Sequence, residues 1–188
     1  IICHWGMLAR MSEKAGISAV MVDYALLPEN PYPRALNDVL QVYRSLKTEN
    51  PGDEIFLMGD SSGGGLALSA TLALKDSGEA QPEKLGLLSP WLDLTLSHPD
   101  IETAQKYDQM LTREDLVEAG QAYADGRDPA HYLLSPINGD FTGLPPTLVL
   151  VGTHEIFLCD CRRFKEKAAS AGVALSYREW EGMFHDWM

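Results

Sequence analysis

Short apolar runs alternate with longer amphipathic stretches along almost the whole chain, and that alternation leaves few folds open. Strands are expected over 17–23, 54–58, 85–88, 147–151 and 173–180, and helices over 7–15, 34–46, 66–75 and 160–171. The runs ISAVMVD and TLVLV are almost unbroken in apolar character, as strands buried on both faces should be. An α/β fold follows, a mostly parallel sheet with helices on both faces. The stretch from about 93 to 145 breaks the rhythm. It is long and polar, with a helix expected over 112–123, and it reads as a cap-like or irregular insertion within a single domain spanning 1–188. Three prolines make 24–33 a rigid loop.

Composition removes several classes of function. Hydrophobic residues make up 45% of the 188, enough for one sizeable core. Fifteen Lys+Arg against 27 Asp+Glu leave a net charge of −12, so nucleic acid and anionic membrane surfaces are poor partners. No stretch approaches the roughly 18 apolar residues of a membrane span. Three cysteines are too few for a disulfide framework and favour a reducing compartment, hence a cytoplasmic location. The opening Ile-Ile-Cys-His-Trp-Gly resembles no signal peptide, and Ile1 suggests numbering that begins inside a longer protein.

Gly59-Asp60-Ser61-Ser62-Gly63-Gly64 lies between an expected strand and an expected helix, the one context in which G-x-S-x-G carries chemical meaning. A tight strand-to-helix turn there would push the Ser61 hydroxyl above the sheet. Gly59 and Gly63 would let strand and helix approach, while the N–H of Ser62 and the positive helix terminus would face a developing oxyanion. Asp60 would support the elbow through hydrogen bonds. A phosphate loop is disfavoured because the required Lys and Ser/Thr do not follow Gly64.

A serine needs a base, and five histidines are available: His4, His98, His131, His154 and His185. On such sheets the order is serine, acid, histidine, with the histidine after the last strand. His185, in Gly-Met-Phe-His-Asp-Trp five residues past the last expected strand, fits that place. The acid should follow the fourth expected strand, where Glu155 is the first carboxylate. Asp160 is the alternative, although its place near a helix start suits an N-cap.

These residues sit in blocks that resemble the hormone-sensitive-lipase-like branch of the α/β-hydrolase esterases. Asp23-Tyr24-Ala25-Leu26-Leu27-Pro28-Glu29 with Pro31-Tyr32-Pro33 is similar to the D-Y-x-L-x-P-E-x-x-x-P block, and Gly59 to Gly64 to the G-D-S-x-G-G elbow. Ser89-Pro90-Trp91-Leu92-Asp93, Leu144-Pro145-Pro146-Thr147, Gly152-Thr153-His154-Glu155 and Gly182-Met183-Phe184-His185 follow in family order. The resemblance implies an α/β-hydrolase fold and hydrolysis of short- to medium-chain carboxylic esters through an acyl-Ser61. His185 would serve as base, then acid, and Glu155 would orient it. It also implies an H-G-G-G oxyanion loop some thirty residues before the D-Y block, which nothing here supplies; the first strands and the helix after the histidine loop are likewise expected to be missing.

The expected partner is a small-molecule ester, with a homodimer left open, and the mechanism calls for no cofactor. No metal is expected either, because His154, Cys159 and Cys161 lack a second pair of ligands at zinc spacing. Met110, Leu111, Tyr123 and Tyr132 are candidates to cover an acyl pocket, with a minor core as the alternative. A non-catalytic ligand-binding protein and a serine peptidase or amidase on the same scaffold are the rival readings.

Overall fold

The computed structural model describes residues 2–188. Its centre is a four-stranded sheet of β1 (Phe56–Asp60), β2 (Lys84–Leu88), β3 (Thr147–His154) and β4 (Leu175–Phe184). Neighbours in sequence are neighbours in space, in the order β1-β2-β3-β4, and every pair is parallel. Parallel strands need long crossovers, and the helices supply them. The helices are α1 (Ile2–Ala15), α2 (Arg34–Glu49), α3 (Ser62–Asp76), α4 (Ile101–Gln105), α5 (Arg113–Ala124) and α6 (Leu158–Ser170).

Register decides which side chains meet the helices. Leu57, Leu85, Leu87, Val149, Val151, Leu175 and Tyr177 project from one face, where they pack with Leu68 and Leu72 of α3 and Phe164 and Ala168 of α6. The apolar face of α2, carrying Leu36, Val39, Leu40 and Tyr43, closes on Ala70 and Leu74 of α3. The other face of the sheet is half open: Phe56, Leu148 and Trp180 are 42%, 37% and 44% exposed. The α/β arrangement expected from the sequence is present, with one face of the sheet closely covered and the other partly exposed among the described residues.

The segment 17–23 departs from expectation. It runs without ladder pairing, and Ile17 and Val20 are exposed. A β-branched run can be extended without being a strand, because a strand exists only where a neighbour takes its N–H and C=O groups. No described strand lies beyond the β1 edge to do so.

Segment 93–145 contains α4, α5 and a 3₁₀ turn at Pro136–Asn138. Thr112 caps α5 by accepting the N–H of Asp115, and Asp125 ends it in the left-handed region. The four side chains expected to cover a pocket do not converge. Leu111 packs with Leu96, Ile101 and Phe157, Tyr123 lies edge-on to Tyr32, the Tyr132 hydroxyl donates to Asp76, and Met110 is exposed. Leu111, Tyr123 and Tyr132 each pack at the edge of a different apolar cluster, so the four do not form one minor core either.

Candidate active site

The C-terminal ends of β1, β3 and β4 deliver three side chains to one point. At the end of β1 the chain turns straight into α3, and Ser61 takes φ 52°, ψ −122°, a conformation that L-residues adopt only under constraint. Four backbone hydrogen bonds impose it. The Ser61 N–H donates to the Leu88 carbonyl, and the Ser61 carbonyl accepts from Gly64, Gly65 and Trp91. Close approach explains the glycines, with one revision. A Cβ at Gly59 would lie 2.2 Å from the Gly63 carbonyl oxygen, and one at Gly65 would lie 2.1 Å from that of Trp91. A Cβ at Gly63 would meet nothing nearer than 3.9 Å, so the steric demand falls on Gly59, Gly64 and Gly65 rather than on Gly63. Ser62 opens α3, and its N–H has no intrahelical acceptor.

Nε2 of His185 lies 3.0 Å from the Ser61 hydroxyl, across 124 residues of sequence. Nδ1 lies 2.9 Å from Oε2 of Glu155. His185 and Glu155 are almost wholly buried, and Phe157 meets the imidazole edge-on at 5.2 Å. The histidine follows β4 directly rather than after a five-residue loop, because 181–184 continue the ladder past an irregularity at Gly152/His154. Gly152 permits this: a Cβ there would lie 2.2 Å from the Met183 carbonyl oxygen.

Both carboxylate oxygens of the buried Glu155 are occupied. Oε1 accepts from the Ser89 hydroxyl at 2.8 Å and from the Gly152 N–H, leaving Oε2 to the imidazole. Ser89 belongs to the S-P-W-L-D block, but only the fold shows what its hydroxyl touches. Asp108 holds the same turn from outside by accepting the Ile156 N–H at 2.8 Å. Burial works against a charged imidazole, but the Glu155 hydrogen bond and the carboxylates of Asp186, Glu155 and Asp108 outweigh it, so the His185 pKa lies above its usual value.

Asp160 is elsewhere. The N-cap of α6 is Phe157, so Asp160 falls inside the first turn; it is buried, and neither carboxylate oxygen has a hydrogen-bond partner. Burial and the nearby Asp93 carboxylate, opposed by Arg163, push its pKa up to about 7. Asp60 accepts from Nε2 of His4 in α1 at 2.8 Å, a contact between distant segments that no local pattern announces. His154 stacks on Tyr107, and Cys159 and Cys161 are free, buried thiols. Among the described residues no three His, Cys, Asp or Glu side chains group as metal ligands.

A strained serine at a strand–helix elbow, with an imidazole and a buried carboxylate in line behind it, has the form of a serine hydrolase site on an α/β sheet. The chain belongs to the α/β-hydrolase fold family, whose pattern it matches over residues 2–188. It is 36% identical over 185 residues to an acetyl-hydrolase of Streptomyces hygroscopicus, and the match covers 98% of this chain and 62% of that one. An esterase of Acinetobacter venetianus is 39% identical over 186 residues, covering 97% and 61%. Among solved structures, an esterase/lipase from an uncultured bacterium superposes with a TM-score of 0.90 at 32% identity, covering 96% of this chain and 61% of that one. An esterase of the bacterial hormone-sensitive lipase family superposes with a TM-score of 0.84 at 37% identity, covering 88% and 56%. The chain thus spans about three-fifths of the length of the curated relatives it matches.

Proposed function

We propose that the protein is a carboxylic ester hydrolase acting on short- to medium-chain acyl esters. The observation that carries this is the line from the Ser61 hydroxyl through His185 to Glu155, at 3.0 and 2.9 Å. Ser61 Oγ attacks the ester carbonyl carbon as its proton passes to Nε2 of His185. Glu155 keeps the Nδ1 proton in place and stabilises the imidazolium. The Ser62 N–H and the N-terminus of α3 face the oxyanion. His185 then protonates the departing alkoxide, leaving an acyl-Ser61. A water, deprotonated by the same imidazole, attacks the acyl carbon and returns Ser61 as the acid leaves.

The names of the relatives, acetyl-hydrolase and esterase, support an ester as substrate. A related structure with a TM-score of 0.90, soaked with p-nitrophenyl butyrate, supports a short acyl chain. The free thiols of Cys159 and Cys161 support a reducing compartment, the cytoplasm, and no helix among the described residues is long and apolar enough to cross a membrane.

The test is hydrolysis of p-nitrophenyl acetate and butyrate by the full gene product and by its Ser61→Ala variant. Turnover by the former and a loss of at least about a thousandfold in the latter is expected. Equal rates for both would remove Ser61 from the mechanism. Cleavage of amide substrates in preference to esters would favour a peptidase instead.

A further inference from the structure

One carboxylate beside the reacting imidazole has no part in the scheme above. Oδ2 of Asp186 lies 3.2 Å from Nε2 of His185, nearly as close as the Ser61 hydroxyl on the same nitrogen at 3.0 Å. Nε2 offers either a single lone pair or a single N–H, so it can serve only one of these neighbours fully. The placement is fixed by the backbone, since Asp186 sits at φ 52°, a left-handed conformation that Asp and Asn tolerate better than other side chains with a Cβ. Its other oxygen, Oδ1, is buried without a partner. We infer that Asp186 is a positioning residue that competes with Ser61 for Nε2 of His185 and sets the pH at which the serine is activated.

The groups around the imidazole define the competition. Ser61 faces it from the elbow, Glu155 from the turn after β3, Asp108 from the segment after α4, and Asp186 from its own loop. Asp60, at the end of β1 and bound to His4 of α1, faces Asp186 in turn. Burial pushes the Asp186 carboxyl up to about 6; His185 and His4 oppose that rise, and Asp60 and Glu155 add to it.

Above that value Asp186 is ionised and holds a proton on Nε2 as an imidazolium–carboxylate pair, in which Ser61 has no base. Further rise in pH removes that proton. The lone pair of Nε2 is then left to the Ser61 O–H, and the serine becomes activated. An ionised Asp186 therefore displaces activation to higher pH. It also stabilises the imidazolium that forms transiently during acyl transfer. Without it the base is weaker and is available at lower pH.

The inference rests on the proposed ester hydrolysis, so its test has one arm that needs no turnover. Asp186→Asn removes the charge and keeps the side-chain shape, while Asp186→Gly removes the side chain and suits the backbone angle. In both, the acid limb of kcat/KM for p-nitrophenyl butyrate should move down by about one pH unit. The His185 imidazole pKa, read by NMR on ¹⁵N-histidine-labelled full gene product, should fall by the same amount. A limb and an imidazole titration unmoved in both variants overturn the inference. Absence of hydrolysis by the unmodified protein overturns the proposed function alone, because the imidazole titration still decides the role of Asp186.

Discussion

The hydrogen bond between Ser89 and Glu155 offers the sharpest quantitative check on how this site is held. Both residues are wholly buried, and the hydroxyl donates to Oε1 at 2.8 Å. Ser89→Ala deletes that donor and leaves Oε1 with the Gly152 N–H alone. A hydrogen bond to a charged group is worth about 1.5–3 kcal/mol. If the carboxylate needs that bond to stay aligned on Nδ1, kcat/KM should fall by about 10- to 150-fold, since about 1.4 kcal/mol corresponds to tenfold. The loss should appear in kcat, because Ser89 is buried behind the acid rather than beside the serine. The decisive assay repeats the substitution in a Glu155→Gln background, with p-nitrophenyl butyrate as substrate. There the charge is already gone, and Ser89→Ala should cost only a few-fold more. An equal loss in both backgrounds would show that Ser89 acts by filling space. No loss in either would refute the view that Glu155 depends on it.

Three further outcomes follow from the close contacts and buried charges of the fold. Gly152→Ala should cost about 1–3 kcal/mol in urea unfolding, because its Cβ would lie 2.2 Å from the Met183 carbonyl oxygen, and that collision should also displace His185 and lower kcat. The Asp160 pKa stands at about 7 in the fold, above its unfolded value, so the native state holds the proton more tightly and stability drains away between about pH 4 and pH 7. Asp160→Asn, which cannot ionise, should therefore match the parent near pH 4 and exceed it by a few kcal/mol above pH 7; urea midpoints at the two pH values check this, and a gap independent of pH would contradict it. Gly65→Ala should unfold more readily than Gly63→Ala, because only the former drives a Cβ into backbone, at 2.1 Å from the Trp91 carbonyl oxygen.

Much of this site could be read without coordinates, because its chemistry is tied to local grammar. Gly59 to Gly64 marks a strand–helix turn by itself, and the order of Ser61, Glu155 and His185 follows from where strands end. What could not be read depends on contacts between distant segments. The run 17–23 has the composition of a strand, but composition does not reveal whether a neighbour exists to pair with it. Asp160 looked like a cap because aspartate commonly is one; α6 starts two residues earlier, and the carboxylate is drawn into the interior. The last strand looked four residues too short, since the ladder resumes past Gly152 in a way that no periodicity encodes. His4 on Asp60, Ser89 on Glu155 and Asp186 beside Nε2 are all tertiary facts.

The half-covered sheet has a consequence for how the chain tolerates change. Along β3, Val149 is fully buried whereas its neighbour Leu148 is 37% exposed, and a two-residue beat also runs through β4 from Leu175 to Trp180, half-buried side chains alternating with exposed ones. A saturation library across these strands should give survival scores shaped like a comb. Teeth would stand where side chains meet α3 and α6, and gaps would fall where they look outward, with serine or lysine accepted in the gaps and rejected one position away.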